Sequence, residues 1–424
     1  MVKHSAQPMA KFFTRERFGR AQFLAGGLLL LFLGQAILLD YAGLHEAEER
    51  GLNGLSPSEL VNLTAGWRQL HGGAIAGAPY LEDPGTLPSE IPIDITGYDT
   101  QHSPLLPLMT TAPLLLIPQH TIESSSSTWW RWLLRIPFLA VGVFLGASLW
   151  YVARRLCGNH GGFLALTLYC FSPAMLQAAA VWHTDPDILA AWGFFGAIFT
   201  AIAVAHTLYA PREVVLWNWR RILLLGVSLA IAIGSQFSMV IVIPVALAFM
   251  LYLAPIRRAA ATSIWLSASV LAIVLLMAFY FFHLFIFLSA LRHAAFWEVD
   301  WHNFTVPAVY RHIGAQILRS CPALIFLLPA TIATYAAWRR VRYFGNTAPL
   351  VVSILLLTLS LAHPRSTADG FLLASIPFLF IFVSGVLADL METRYRQLVA
   401  ACVWALVGAY IIRSVSALAR IPFV

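Results

Sequence analysis

The sequence predicts an all-α protein, a polytopic bundle of helices that cross a lipid bilayer. Of its 424 residues, 59% are hydrophobic and only 11% are charged, whereas a soluble chain carries about 25% charged residues. The mean hydropathy is +0.75, and apolar runs of about 17–25 residues recur, each long enough to cross a hydrocarbon core of about 30 Å. Because lipid cannot satisfy backbone polar groups, these runs must be helices.

We expect about eleven spans, judged from the length of each apolar run and from the charges that flank it. Their predicted bounds are 21–39, 132–152, 161–179, 187–207, 221–234, 237–254, 262–289, 316–337, 347–362, 370–388 and 396–413. A basic stretch precedes the first run and no small-residue cleavage site follows it, so we expect a retained first span rather than a signal peptide. The prediction is one membrane-embedded domain over residues 1–424, with no separate soluble domain.

The excess of basic residues indicates an orientation rather than a nucleic-acid partner. Lysine and arginine number 27 against 20 acidic residues, a formal net charge of +7, and these bases stand between apolar runs. Cytoplasmic loops of membrane proteins carry such an excess. Alternation from a cytoplasmic N-terminus places there the arginines at 154–155, 220–221, 257–258, 339–342 and 394–396. It leaves a long first loop, residues 40–131, on the outer face.

This first outer loop is about 90 residues long, where a handful would connect two spans, and it carries two helices of its own. The run Ser56-Pro57-Ser58-Glu59 is a capping box with proline at the first helical position. The apolar residues that follow at helical spacing predict an amphipathic helix at the membrane surface; they are Leu60, Leu63, Trp67 and Leu70. Residues 105–117 are apolar but short, so we expect them to pack against the bundle or re-enter partway rather than span.

Ionisable residues at the outer ends of the spans are the candidates for function, because charges at membrane depth are costly and tend to mark sites. Asp40 and Glu46 follow the first span, and Asp185 and Asp187 precede the fourth. The run His363-Pro364-Arg365 precedes the tenth. All three groups lie on the same predicted face, so we expect them to share one cavity.

Each group also has a simpler interpretation that the residues leave open. Acidic residues at a helix exit are often solvated surface, Asp185 and Asp187 could serve only as a helix cap and dipole partners, and Arg365 could only snorkel to the interface. Three histidines of the last large outer loop are more easily explained as surface groups than as metal ligands: His293, His302 and His312. The four cysteines show neither metal-site nor disulfide spacing.

Several short motifs follow one another through the first half of the chain. They are Gly66-Trp67-Arg68-Gln69-Leu70-His71-Gly72-Gly73, His102-Ser103-Pro104-Leu105, Arg135-Ile136-Pro137, Phe171-Ser172-Pro173 and Thr184-Asp185-Pro186-Asp187. In this order and spacing the chain resembles the GT-C superfamily of polytopic glycosyltransferases, in particular the bacterial branch related to protein mannosyltransferases and lipid A aminoarabinose transferases. The family's His-Pro-Pro-Leu is similar to residues 102–105. The resemblance is good over residues 21–207 and thinner beyond.

The resemblance implies inverting transfer of a sugar from a polyprenyl-phosphate-linked donor to a lipid, glycan or protein acceptor. In the family an acid just after the first span activates the acceptor, and this chain has His45-Glu46 where Asp-Glu is usual. Glu46 is therefore our first choice for the base and Asp40 the second. A second acid ahead of the fourth span helps build the site or holds a divalent cation, Mg²⁺ or Mn²⁺, and either Asp185 or Asp187 aligns with it.

The chemistry of such a transfer is consistent with these roles. A sugar hydroxyl is a poor nucleophile and needs a positioned base, worth about 10²–10⁴-fold in rate. The leaving lipid phosphate needs cationic stabilisation, for which Arg365 is the best-placed arginine, with Arg292 and Arg311 behind it. His102 is a further candidate for substrate binding. The implied location is a bacterial inner membrane, with a cytoplasmic N-terminus and an active site on the periplasmic face.

A transporter or flippase for a lipid-linked or small anionic substrate is the alternative. It explains the spans and their charges but leaves the long first loop without a role. The hydropathy also shows no internal two-fold repeat of the kind that many secondary transporters have. A purely structural membrane subunit would predict fewer acids clustered at one face.

Overall fold

The computed structural model describes residues 19–49, 57–72, 101–117, 130–180, 187–209, 219–297, 299–363, 365–394 and 396–418, and every regular element in them is helical. The α-helices are α1 (Arg20–Glu49), α2 (Pro57–Leu70), α3 (Leu105–Thr111), α4 (Trp130–Cys170), α5 (Pro173–Ala180), α6 (Asp187–Thr207), α7 (Trp219–Ser235), α8 (Val242–Leu253), α9 (Arg258–Phe279), α10 (Leu284–His293), α11 (Pro307–Ser320), α12 (Leu324–Ala337), α13 (Phe344–Ala362), α14 (Arg365–Met391) and α15 (Arg396–Leu418). Short 3₁₀ turns lie at Ala112–Leu116, Phe237–Ile241, Trp301–Thr305 and Arg339–Val341. The predicted all-α class is confirmed.

The helices of the described residues form a multi-pass membrane bundle. Seven of them, α1, α4, α6, α9, α13, α14 and α15, are long and apolar enough to cross a membrane, and an eighth crossing results if the bent pair α11 and α12 is one span. Every predicted span contains helical residues, but α7 and α8 have only 17 and 12 residues, fewer than the roughly 20 that a crossing needs. The predicted number of spans is therefore not confirmed.

Helix α4 holds the predicted span 132–152 and the first part of the span 161–179, because the chain turns back inside it; the rest of the second span forms α5. Gly158 has φ 73° and ψ −175°, a backbone conformation that glycine adopts without strain. The Tyr169 hydroxyl donates to the Gly142 carbonyl at 2.6 Å, although a straight helix would separate these residues by about 40 Å. The two arms therefore lie antiparallel, as the predicted spans 132–152 and 161–179 require.

The predicted span 262–289 is too long at its C-terminal end. Helix α9 stops at Phe279 after 22 residues, which already cover a bilayer core of about 30 Å. The chain then turns through Phe281 (φ 49°) and Phe282 (φ 59°) before α10 begins. An apolar run that exceeds the bilayer thickness has no reason to continue as one helix.

The predicted span 316–337 is divided into two helices. Helix α11 ends at Ser320, and α12 leaves it at an angle of 105°. The break contains Pro322, whose ring and missing N–H interrupt a helix. Composition alone did not reveal the bend, because Arg319, Ser320 and Pro322 interrupt the apolar run only briefly.

The centre of the bundle is formed by α6, α7 and α14. The apolar stretch of α14 is completely buried inside the bundle. Gly193 lets the backbones of α6 and α7 touch, since a Cβ added there would lie 2.4 Å from the backbone nitrogen of Ala232. Small residues allow such close approach between membrane helices.

The arginine pairs lie at one end of the bundle, which we call the basic end. The Gly158 turn lies there, where the Cys157 sulfur is 4.0 Å from Oδ1 of Asn346. The Asn346 amide donates to the Asp389 carboxylate at 2.8 Å, which joins the start of α13 to the end of α14. Burial raises the pKa of the nearby Tyr343 hydroxyl, so this group stays protonated and donates to Asp389 at 3.4 Å. The positive-inside rule predicts that the basic end is cytoplasmic.

Candidate functional site

The opposite end of the bundle carries the helices of the first loop, and we call it the site end. Helices α2 and α3 are in close contact there, since a Cβ added to Gly66 would lie 2.2 Å from the Pro107 carbonyl oxygen. A small apolar core built from Leu63, Leu114 and Leu134 holds α2 and the 3₁₀ turn after α3 to the start of α4. Both predicted loop helices are confirmed, and the second packs on the bundle.

Helix α2 is buried more deeply than an amphipathic surface helix would be. Its polar residues Thr64, Arg68 and Gln69 are all 7% exposed or less. The Gln69 amide donates to the Phe279 carbonyl at 2.7 Å, which satisfies one of the carbonyls that the end of α9 leaves without a helical partner. Helix α2 is therefore clamped between α3 and the end of α9.

The segment before α3 bridges the break between α7 and α8. The Ser103 hydroxyl and backbone N–H donate to the Gly234 carbonyl at 2.7 and 3.1 Å. The Phe237 N–H donates to the Gln101 carbonyl at 2.8 Å. These bonds satisfy backbone groups that a break at membrane depth would otherwise leave exposed to lipid. His102, a predicted substrate-binding residue, lies between the two bonded positions and is thereby fixed at the site end.

An ion pair between Asp40 and Arg135 lies in the interior at the site end. The Arg135 guanidinium donates to the Asp40 carboxylate at 2.9 Å, and the two side chains are 4% and 0% exposed. Buried charges need a partner of opposite sign, and this pair joins α1 to the start of α4. Asp40, our second choice for the base, is thus ion-paired with Arg135 and buried.

The junction between α13 and α14 is covered by the last large loop. The Asp300 N–H donates to the Ala362 carbonyl at 2.8 Å, and the Asn303 amide reaches the His363 carbonyl at 3.4 Å. His363 itself is 3% exposed. Arg365 is the first residue of α14, so this loop and the predicted donor arginine belong to the same end of the bundle.

The other predicted site residues lie on elements whose backbone is described, with one exception. Glu46 is in the last turns of α1 and Asp187 is the first residue of α6. The side chains of both, and of Arg365, lie outside the described structure, as does the whole of Asp185. Arg292 lies in the last turn of α10 and Arg311 lies in α11, and both are exposed. Their roles toward a substrate stay predictions.

A metal site stays a prediction as well. In the part of the chain that the structure describes, no three His, Cys, Asp or Glu side chains come together to hold a metal ion. Of the two predicted ligands, Asp185 and the side chain of Asp187 are outside that part.

Sequence reasoning assigned no role to Arg135, Gln69 or Ser103. A signal for Arg135 was present, because a lone arginine inside an apolar span is costly unless an acid such as Asp40 faces it. Gln69 and Ser103 bind backbone carbonyls of distant helices. No sequence pattern reveals partners of that kind.

Comparison with solved structures identifies the architecture. The chain is similar to the archaeal oligosaccharyltransferase AglB from Archaeoglobus fulgidus, solved with an inhibitory peptide and a dolichol-phosphate, at a TM-score of 0.56 and 12% identity over 94% of this chain and 55% of that one. The apo form of the A. fulgidus enzyme matches at a TM-score of 0.56 and 14% identity, over 94% and 56%.

This chain spans about half the length of the solved chains that it resembles. No family model and no curated protein matches it. The chain thus has a membrane fold similar to that of these solved oligosaccharyltransferase chains.

Proposed function

We propose that the protein is a membrane-embedded inverting glycosyltransferase, which moves a sugar from a polyprenyl-phosphate-linked donor to an acceptor at the outer face of the membrane. The observation that carries the proposal is the likeness of its fold to AglB over 94% of the chain. The motifs of residues 66–187 resemble the GT-C superfamily on separate grounds. A transporter would account for the spans, but not for a first loop clamped onto the bundle.

The contacts of the first loop suit a transferase. Gln69 on Phe279 and Ser103 on Gly234 tie the first loop to α9 and α7. A site with such fixed walls can hold donor and acceptor in a reactive geometry, which supplies a large part of the rate of a two-substrate reaction.

Glu46 is the base in this proposal. It takes the proton of the acceptor hydroxyl while the hydroxyl oxygen forms a bond to the anomeric carbon of the sugar. The bond from that carbon to the lipid phosphate breaks at the same time, its electron pair leaves with the phosphate, and attack from the opposite face inverts the configuration. Asp40 is less suited, because its carboxylate already binds Arg135 at 2.9 Å. Its role is to position α1, whose following turns carry Glu46.

Arg365 is the cation in this proposal. It begins α14 at the site end, and a guanidinium binds a phosphate through two parallel hydrogen bonds. Stabilising the charge that develops on the leaving phosphate lowers the barrier directly. One of Asp185 and Asp187 helps position the acceptor or a divalent cation.

The proposal is tested by incubating the purified protein in nanodiscs with a panel of polyprenyl-phosphate sugars and with lipid, glycan and peptide acceptors. Mass spectrometry should detect a transferred sugar, and NMR of the product should show the anomeric configuration inverted relative to the donor. The Glu46→Gln variant from the same preparation is the control. Movement of a lipid-linked sugar across liposomes without transfer to any acceptor would instead support the flippase alternative.

A further inference from the structure

A groove of about 160 Å³ lies between α12 and α15. Its walls are apolar, with Phe326 and Leu327 on α12 and Leu406 and Ala409 on α15. Arg413 is the one charged residue that lines it. The groove has room for an apolar group of about the size of benzene, and the 66% exposure of Phe326 shows that its wall reaches the outer surface of the bundle.

Arg413 lies on the surface of α15 beside the groove. Among the residues that the structure describes, it makes no hydrogen bond, ion pair or ring contact, and its side chain is exposed. An arginine on a membrane helix is costly unless it serves an anion or reaches water. The combination of an apolar slot and one available guanidinium fits a ligand with a hydrocarbon chain and an anionic head.

The position of Arg413 along the axis of α15 places it at the level of the lipid headgroups. Helix α15 begins at the basic end with Arg396, and Arg413 stands about 26 Å further along the helix axis. With a hydrocarbon core of about 30 Å, Arg413 therefore lies close to the opposite boundary of the bilayer, which is the level of lipid phosphates and the level of the site end.

The floor of the groove is hydrogen-bonded to the end of the second arm of α4. Tyr410, 3% exposed, donates its hydroxyl to the Leu168 carbonyl at 3.3 Å. The Ser172 hydroxyl donates to the Ser320 carbonyl at 2.7 Å, just before α12. Both bonds hold the groove against the second arm of α4 and α5, and α5 leads directly into the segment that contains Asp185.

We propose that this groove is an access site for the lipid carrier, with one polyprenyl chain between α12 and α15 and its phosphate on Arg413. A single chain suits a slot between two helices, whereas a phospholipid has two acyl chains to place. The assignment rests on the proposed function, which requires a polyprenyl phosphate to reach the site end from the bilayer.

Photocrosslinking tests where the lipid lies. The full-length protein carries Leu406→benzoylphenylalanine in the groove or, as the matched control, Leu398→benzoylphenylalanine, an exposed position on the same helix that does not line the groove. Each variant is irradiated in phosphatidylcholine nanodiscs that contain undecaprenyl phosphate. Intact-mass measurement should show the lipid adduct at position 406 and little at 398. Equal labelling at both positions would overturn the proposal.

The role of the guanidinium is tested in the Leu406→benzoylphenylalanine background. Arg413→Gln should raise the undecaprenyl phosphate concentration for half-maximal labelling by about tenfold or more, as expected for one lost charge-assisted contact. Arg396→Gln at the basic end should leave it unchanged. Phosphatidylglycerol in excess should not compete, and full competition would show a general anionic-lipid site instead. Unchanged labelling in Arg413→Gln would also overturn the assignment.

These experiments involve no sugar, so their outcome is separate from that of the transfer assay. Labelling at position 406 without any transferase activity would refute the proposed function and leave the lipid site standing. If transfer is observed, Arg413→Gln should raise the donor KM at nearly constant kcat, because the groove lies outside the reacting centre. A fall in kcat alone would contradict an access role.

Discussion

The Asp40 carboxylate and the Arg135 guanidinium lie 2.9 Å apart in the interior of the bundle, although 95 residues separate them in the chain. The whole first loop lies between these two positions. Their ion pair therefore closes the loop at its base, where α1 leaves the bundle and α4 enters it. Glu46, the proposed base, follows Asp40 on α1 by about 9 Å along the helix axis, so this pair determines where the base stands.

The variant Asp40→Asn should destabilise the protein by about 3–5 kcal/mol, since it leaves the Arg135 charge buried without its partner. The double variant Asp40→Arg with Arg135→Asp should recover part of this loss. Thermal unfolding of the purified protein in detergent measures both, and Glu392→Gln, an exposed carboxylate at the basic end, is the control. An Asp40→Asn variant as stable as wild type but inactive would instead make Asp40 the base.

The variant Gly66→Ala should weaken the packing of α2 on α3. The added Cβ would lie 2.2 Å from the Pro107 carbonyl oxygen, so one of the two backbones must shift, at a typical cost of about 1–3 kcal/mol. Gly27→Ala in α1 is the control, because nothing lies within 4 Å of a Cβ there. A lower melting temperature is expected for the first variant only, and equal melting temperatures would show that α2 moves freely.

The helices were predictable from the sequence, because the apolar runs and capping signals that define them are local. The bounds of α6, residues 187–207, and the start of α2 at Pro57 agree with the predicted bounds. The turn at Gly158 was also predictable from the arginines beside it. Local composition indicates where the helices lie, because a membrane span must form the hydrogen bonds of its own backbone within the span.

The contacts of the site end were not predictable in the same way. Gln69 donates to the carbonyl of a residue 210 positions away, and Ser103 to one 131 positions away. Every residue has the same backbone carbonyl whatever its side chain. The sequence therefore does not indicate which carbonyl a polar side chain will bind. The bend between α11 and α12 escaped prediction for a related reason, since Pro322 alone does not show whether a span kinks or divides.

The orientation of the bundle is tested by cysteine labelling. Ser125→Cys in the first loop should react with an impermeant maleimide added outside, and Asn159→Cys, exposed beside the Gly158 turn, should react only after permeabilisation. Both are made in a Cys402→Ser background, because Cys402 is the exposed cysteine. Equal labelling of both positions from outside would show that the predicted topology is wrong.

The variant Arg365→Lys should weaken use of the donor. Lysine keeps the positive charge but loses the planar fork that binds two phosphate oxygens, so the donor KM should rise by about tenfold. Arg311→Lys, an exposed position on α11, is the comparison that should change less. An unchanged donor KM in Arg365→Lys would remove this arginine from the phosphate site.

The last prediction concerns the acids at the two places where the superfamily resemblance implies them. Glu46→Gln should leave the melting temperature nearly unchanged and reduce transfer by about 10²–10⁴-fold, the usual contribution of a general base. Asp185→Asn and Asp187→Asn should differ from each other, one close to wild type and the other severe, because only one of them needs to face the shared cavity.

Glu46→Asp and the pH profile separate a base from a positioning group. Aspartate keeps the carboxylate but shortens its reach, so this variant should retain more activity than Glu46→Gln and keep a rate that rises with pH as the carboxyl ionises. Glu46→Gln should lose that rise, since an amide does not titrate in this range. If Glu46→Gln keeps the wild-type pH profile at a reduced rate, another group is the base. An experimental structure with Glu46 more than about 12 Å from both aspartates, too far for one acceptor to lie against both, would also refute the shared cavity.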